Sequence, residues 1–378
     1  MSRRRVLVFT ETALALSETF IAAHCRHLQR YNYILAALSS SGHHHSDIPR
    51  HLLFPQGSSP TQRLAFRLGL SHHMDRLIAQ ERPDIIHAHY LTNGAFMVPY
   101  AERHNIPLIV TVHGHDATRA LRPLSAYDQV YRFWHKRLRQ KAATVLPVSN
   151  FLRAKLLADG FPPGRTLTHY LGVKLPDRIP VDPAANPPRI LFVGRLVAKK
   201  GIDQVLEAFN VVHASKPDAE LHIVGDGPLR DMVISKTQTS PAIIWHGAQP
   251  PERTQEIMAS ARLLTLPSRQ ARNGDVEGLG LVLLEAQALG IPIVTSKDSG
   301  TAEALLDGET GFAVDPTGSQ DLAQAFLRLL QSPELARSMG KSATRFVREN
   351  FDITARTQIL EQIYDSVLEN HSGREVQA

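Results

Sequence analysis

Glu277 and Glu285 stand eight positions apart, with Gly278-Leu279-Gly280 and the apolar run Leu281-Val282-Leu283-Leu284 between them. Two carboxylates so separated can each accept hydrogen bonds from hydroxyls on different parts of an extended ligand. The glycines let main chain approach such a ligand closely. A helix starting at Gly280 would also present its unpaired amides, those of Leu281 and Val282 first, and the positive end of its dipole at the same place. That is an anion site. Two acceptors flanking an anion cradle suit a sugar on one side of a diphosphate and a ribose on the other. A second such site stands upstream, where the strand-like run Arg189–Val193 feeds Gly194-Arg195-Leu196-Val197-Ala198-Lys199-Lys200-Gly201. A basic, glycine-bounded loop after a strand is a phosphate site by charge alone. Lys199 reads as a solvated neighbour within it. The spacing Gly-x4-Gly-Lys-Ser/Thr is absent, which excludes a P-loop.

These loops need a scaffold of buried strands and covering helices. Leu108-Ile109-Val110-Thr111-Val112 reads as a buried parallel strand. His113-Gly114-His115-Asp116 follows at its carboxyl end, where open α/β sheets bind ligands. Pro83-Asp84-Ile85-Ile86-His87-Ala88-His89 reads as another strand, its histidines lining a cleft or ending the strand. Further strands are expected at 5–9, 33–38, 143–147, 220–224, 243–247, 262–268, 292–295 and 311–314. A helix is expected to about Arg30, capped by Ser17 or Thr19, and another from Ser149 to near Gly160. Residues 60–80 carry helical periodicity with Arg63, Arg67 and Arg76 on one face. Residues 124–141 form a basic, aromatic helix, read as core aromatics with a solvated basic edge. His43-His44-His45 reads as a solvated loop. The proline-rich stretch 175–188 reads as an interdomain connection.

At 378 residues the chain exceeds one usual core, so two domains are expected. An apolar content of 43% and a charged content of 21% are those of a soluble globular protein. The single cysteine, Cys25, excludes an intramolecular disulfide and reads as a small core residue. Val6–Phe9 is too short for a signal peptide and no stretch is long enough for a membrane helix, so a cytoplasmic location is expected. Charge is unevenly spread: residues 1–178 hold 23 Lys and Arg against 11 Asp and Glu, so that part carries +12 and the remainder −6. A basic first half suggests an anionic partner: an acidic acceptor, an anionic membrane face or, least well supported, nucleic acid. No aromatic-interleaved basic strand or zinc-finger spacing is present, so nucleic acid is not expected.

The run Glu277-Gly278-Leu279-Gly280-Leu281-x-x-x-Glu285-Ala286, followed by Ala288-Leu289-Gly290-Ile291-Pro292-Ile293-Val294, resembles the Glu-x7-Glu motif of retaining, nucleotide-sugar-dependent glycosyltransferases of family 4. Gly194-Arg195…Lys200-Gly201 is similar to that family's Gly-Arg-x4-Lys-Gly pattern, and His113-Gly114-His115-Asp116 to its His-Gly-x-Asp. Ser17-Glu18-Thr19-Phe20-Ile21 looks like a subgroup of exopolysaccharide and lipid-linked oligosaccharide transferases. The first loop lacks the glycines frequent in the family, and Ser299 stands where a Gly-Gly-x-x-Glu pattern has its first glycine.

The resemblance implies an α/β chain of the GT-B fold: two Rossmann-like domains whose parallel sheets face an interdomain cleft. Its expected divisions are an acceptor-side domain at 1–178, a linker at 179–188, a nucleotide-sugar domain at 189–355 and a last helix, 356–378, crossing back to the first domain. It implies that Arg195 and Lys200 hold the donor diphosphate, with Gly280, Leu281 and Val282 at the helix start. Glu277 would hold sugar hydroxyls, Glu285 the ribose and His113 the sugar near its 6-hydroxyl. Main chain at Trp245, His246 and Gly247 would meet the nucleobase, Trp245 alternatively being only a core residue. Glu18 and Asp116 would lie on the acceptor side, Asp116 alternatively orienting its loop. The implied activity is metal-independent, retaining transfer of a hexose from a UDP- or GDP-linked sugar, without a cofactor. The acceptor would be a glycan or polyprenyl-linked sugar of polysaccharide biosynthesis, with possible peripheral contact at an anionic inner-membrane face. The sequence leaves open a non-hydrolysing nucleotide-sugar epimerase of the same fold, a glycan phosphorylase and a non-catalytic sugar-nucleotide binder.

Overall fold

A computed structural model describes residues 3–13, 19–40, 47–118, 126–176, 181–315 and 318–375. The chain divides into two compact units, one of residues 1–172 with 353–378 and the other of 173–352.

The first unit is built on a parallel sheet of β1 (Arg4–Ala13), β2 (Tyr31–Ser40), β3 (Arg50–Leu52), β4 (Ile85–His89), β5 (Leu108–Val112) and β6 (Thr144–Pro147). Their order across the sheet is β3-β2-β1-β4-β5-β6. All residues of β4, β5 and β6 are buried, as their near-continuous apolar runs require of strands covered on both faces. The second unit repeats the plan with β7 (Arg189–Val193), β8 (Glu220–Val224), β9 (Ile243–Trp245), β10 (Leu263–Leu266), β11 (Ile293–Ser296) and β12 (Gly311–Val314). Its order, β12-β11-β10-β7-β8-β9, is the same topology seen from the other edge. In each sheet the strand order reverses between the first and fourth strands of the unit. Such reversal points, beside the carboxyl ends of the strands, are where open α/β sheets place their ligands.

Three differences from the sequence reading have local causes. The expected helix over 60–80 is two helices, Pro60–Arg67 and His72–Glu81, because Gly69 between them takes φ +76°. A helical interior cannot accommodate that conformation. The short β3 was not expected; three residues are too few for a period-two pattern to show. Residues 181–188, read as linker, pack within the second unit. The Val181 amide donates to Leu289 O at 2.9 Å. Asn186 Nδ2 donates to the Ala259 and Ala261 carbonyls at 3.0 and 2.7 Å, and Arg337 pairs with Asp182 at 2.9 Å.

The last helix, Ile353–Glu375, belongs to the first unit and packs on the helix Thr19–His27. The buried Glu361 carboxylate accepts from the amides of Gln29 and Arg30 at 2.8 and 2.7 Å, just beyond the end of that first helix. It thereby satisfies two donors that follow the helix and pins the two helices together.

Candidate functional site

In the second unit the two charged loops leave β7 and β10, the strands at the order reversal. Gly201 ends the β7 loop at φ +72°, and a Cβ there would stand 2.3 Å from the Pro267 carbonyl oxygen of the β10 loop. The Arg269 amide donates to Lys199 O at 2.8 Å, tying the same two loops again. Glycine is therefore required both by backbone angle and by space. Gly201→Ala is expected to lower stability by about 2 kcal/mol or more. A fall in the urea midpoint checks this; an unchanged midpoint contradicts it.

This join brings Lys200 Nζ to 2.7 Å from Glu277 Oε2. Lys199 lies 3.0 Å from Asp275 and 3.9 Å from Glu277, and only 20% of its side chain is exposed, so it is a member of the cluster and not the solvated neighbour expected. Burial works to raise the Glu277 carboxyl, but Lys200 and Lys199 outweigh it and hold the group below the ordinary carboxylate range. Glu277 is thus a fixed anion. The main chain at Glu277 is held as well, its carbonyl accepting from the Gly300 amide at 3.2 Å. Ser299, the departure from Gly-Gly, caps the turn at 300–304 by accepting from the Thr301 amide. Arg195 is exposed and makes no ion pair among the described residues.

The helix Leu281–Ala288 starts at Gly280, which takes φ +78°. Leu283 N closes on Gly280 O at 2.9 Å, while the amides of Leu281 and Val282 take no acceptor among the described residues. Helix starts leave such amides open, and the dipole adds positive potential there. The helix is apolar nearly all round and mostly buried; Glu285 is its exposed residue, one turn beyond Leu281. On the neighbouring edge, the Trp245 indole N–H donates to Gly225 O at 2.9 Å and the Arg230 guanidinium lies 5.1 Å from the ring centre. The His246 amide donates to Ile223 O and the Gly247 carbonyl accepts from Gly225, so both are engaged within the unit. His246 Nε2 lies 3.0 Å from His222 Nδ1, whose ring burial pushes down to about 4.

In the first unit His113 and Asp116 lie beyond the carboxyl end of β5. Asp116 Oδ1 accepts from the amides of His113 and Gly114 at 3.2 and 3.0 Å, and Oδ2 from Leu91 at 2.7 Å. Burial raises this carboxyl against those amides. Its bonds tie the β5 loop to the helix Leu91–Arg103 that follows β4. Phe20 packs on the His113 ring at 4.5 Å. Glu18 lies outside the described residues, as do Ser17, His43, His44 and His45.

Two family models cover most of the chain: "Glycosyl transferase 4-like domain" matches residues 26–172 and "Glycosyl transferases group 1" matches 176–346. The chain belongs to the glycosyltransferases of group 1. It is similar to a GDP-mannose-dependent alpha-(1-6)-phosphatidylinositol monomannoside mannosyltransferase of Mycolicibacterium smegmatis, 29% identical over 79% of this chain and 80% of that one. It is also similar to a glycogen synthase of Mycobacterium tuberculosis, 26% identical over 75% of this chain and 69% of that one. Among solved structures, Anabaena Alr3699/HepE in complex with UDP-glucose superimposes with a TM-score of 0.77 at 18% identity, covering 96% of this chain and 99% of that one. That likeness gives the fold, GT-B.

In this glycosyltransferase the sheet order joins four sequence-predicted residues in one place: Lys200, Glu277, Gly280 and Leu281. Trp245 ends β9, and His246 and Gly247 follow it, two strands away from β7. His113 and Asp116 sit in the other unit. Sequence reasoning picked out His87 and His89 at the end of their strand but missed the two buried histidines that join them. His24 and His169 join His87, His89 and His113 in one group, with ring centres 4.8 to 6.4 Å apart from neighbour to neighbour. Nothing in the sequence positions of His24 and His169 marks them as neighbours of the other three. No group of three or more His, Cys, Asp or Glu suited to a metal ion exists among the described residues.

Burial holds His87 and His113 down to about 3 and His169 to about 4, with His24 and His89 also well below the ordinary value. Their neutral form therefore stabilises the native state fully above about pH 6.5. As pH falls below that value the unfolded chain takes up protons that the native unit refuses, and stability drops by up to about 1.4 kcal/mol per pH unit per histidine. The two tryptophans, Trp134 and Trp245, fall one in each unit. In Trp245→Phe, fluorescence of Trp134 is expected to report a urea midpoint in the first unit that falls steeply from pH 7 to 5.5. A flat midpoint contradicts the neutral cluster.

Proposed function

We propose that this chain is a retaining, metal-independent hexosyltransferase that moves a sugar from a nucleoside diphosphate to a glycan or lipid-linked sugar acceptor in polysaccharide biosynthesis. One observation carries it: Lys200 and Glu277 are paired at 2.7 Å across the loops that leave β7 and β10, at the reversal point of a doubly wound sheet, with Arg195 exposed in the first loop and an open helix start ending the second. Departure of the diphosphate from the anomeric carbon places negative charge on its oxygens. Arg195, Lys200 and the amides of Leu281 and Val282 stabilise that charge. Glu277 accepts from sugar hydroxyls and Glu285 from the ribose. The acceptor hydroxyl bonds to the anomeric carbon on the face the phosphate leaves, and its proton passes to the departing phosphate oxygen. His113 contributes the sugar contact that the resemblance assigns to it, and Asp116 orients its loop through three amides.

Relatives named for GDP-mannose and for glycogen synthesis, and a fold neighbour solved with UDP-glucose, support a nucleotide-sugar donor with a saccharide or glycolipid acceptor. No helix of the described residues is long and apolar enough to cross a membrane. Leu64, Leu68 and Leu70 are 40 to 61% exposed beside Arg63, and Phe133 is 62% exposed between Arg132 and Trp134. With the +12 charge of residues 1–178, these support peripheral contact of the first unit with an anionic membrane bearing the acceptor.

A thermal-shift screen over nucleoside diphosphates and nucleotide sugars tests the proposal. One base is expected to raise Tm selectively, and its sugar nucleotide to turn over only when acceptor is supplied, with retained anomeric configuration. No shift with any member of the panel, or release of free sugar epimer without acceptor, would overturn it.

A further inference from the structure

His113 is held by its side chain through one ring nitrogen. Its Nε2 lies 3.0 Å from His89 Nδ1. Its Nδ1 is buried with no partner among the described residues. Facing imidazole nitrogens at that distance share one proton when both rings are neutral, one donating and the other accepting. Burial opposes charge on either ring. The tautomers of the two rings are therefore set together.

The surroundings restrict the His89 ring to this task. It is 1% exposed and lies between two other imidazoles, with ring centres 4.8 Å from His87 and 5.2 Å from His113. His87 cannot take the bond over, because Tyr364 Oη at 2.6 Å and Thr111 Oγ1 at 2.7 Å occupy both its nitrogens. Asn93 Nδ2 donates to the His89 carbonyl at 2.8 Å and fixes its main chain. Tyr90, the next residue, sits at φ +73° and ψ 140°. That conformation is unfavourable for a residue with a side chain and persists only where the surroundings impose it. Here the Tyr90 amide donates to Thr111 O at 2.8 Å, and its ring comes to 4.8 Å from the His113 ring. Phe20 covers His113 from another side at 4.5 Å. Aromatic walls, a strained turn and a loop clamped by Asp116 thus leave one degree of freedom in His113 open: which ring nitrogen carries the proton. Among the described residues, His89 is the side chain bonded to that ring.

We propose that His89 is a positioning residue, which through the Nδ1–Nε2 bond fixes the tautomer and orientation of the His113 ring. The inference rests on the reading of His113 as a sugar contact.

The test is the long-range ¹⁵N–¹H spectrum of histidine-labelled protein together with transfer kinetics. In the wild type, the His113 ring is expected in a single neutral tautomer. His89→Leu should convert it to a mixture and lower kcat by about 100-fold with KM nearly unchanged. His89→Asn, whose amide lies where Nδ1 was and can donate or accept, should recover most of that loss. In a His113→Ala background, His89→Leu should have no further effect. Mixed tautomers of His113 in the wild type would overturn the proposal without any variant needing to fold. Equal losses in His89→Leu and His89→Asn would overturn it as well. A single tautomer in the wild type with unchanged transfer in His113→Ala would leave the ring-to-ring bond standing and overturn the sugar contact on which the proposal rests.

Discussion

Lys200→Ala is expected to slow sugar transfer by about 10²–10³-fold, the loss typical of removing one preorganised charge from a developing oxyanion. Lys200 reaches the β10 loop because Gly201 lets the β7 loop turn tightly under Pro267. Its ammonium is there before any substrate binds, paired with Glu277 at 2.7 Å, so no reorganisation is needed as charge builds on the diphosphate. Lys199 does not replace it, since its own amine is held 3.0 Å from Asp275. The loss should fall on kcat at saturating donor, with the far-ultraviolet circular dichroism of the wild type. A variant within tenfold of the wild-type rate would show that the positive charge at this loop is dispensable.

Glu277→Ala should separate binding from turnover. Removing this carboxylate frees Lys200 for phosphate, so affinity for a bare nucleoside diphosphate should hold or rise. Affinity for the matching nucleotide sugar should fall, because the acceptor for its hydroxyls is gone, and transfer should drop by about 10²-fold or more. A buried polar group built to receive a hydroxyl discriminates strongly when it is missing. Parallel calorimetric titrations with diphosphate and sugar nucleotide check the opposed signs. Equal weakening of both ligands would place Glu277 at the phosphates instead of the sugar.

Both effects arise from contacts between distant segments, and the sequence shows these contacts unevenly. The runs Leu108–Val112, Arg189–Val193, Glu220–Val224 and Gly311–Val314 are strands over those same residues, since buried parallel strands are locally encoded as short apolar runs. The loop spacing that follows them was legible for the same reason: Arg195, Lys200, Glu277 and Gly280 are each named by their position relative to a strand end. The meeting of Lys200 with Glu277 was not, because it depends on β10 pairing with β7 across more than seventy residues. Lys199 was misjudged on that account, its partner Asp275 being invisible from its own neighbourhood. The prolines of 181–188 read as a linker, but composition does not say whether such a stretch packs; the 3-10 turn Pro183–Ala185 and the Asp182–Arg337 and Asn186 contacts hold it in the second unit. The histidine group around His89 illustrates the limit most clearly. Its members come from β4, the β5 loop, the helix Thr19–His27 and the segment holding His169, and only the sheet brings them together.

The account stands on cationic side chains and open amides holding the diphosphate in the second unit. The most direct measurement is calorimetric affinity for the selected nucleoside diphosphate and for its nucleoside, in the wild type and in Arg195→Ala/Lys200→Ala. The account predicts that the diphosphate binds far more tightly than the nucleoside in the wild type, and that the double variant loses most of this difference while nucleoside affinity is unchanged. If the double variant binds the diphosphate as tightly as the wild type does, the phosphates lie elsewhere and the proposed chemistry fails with them.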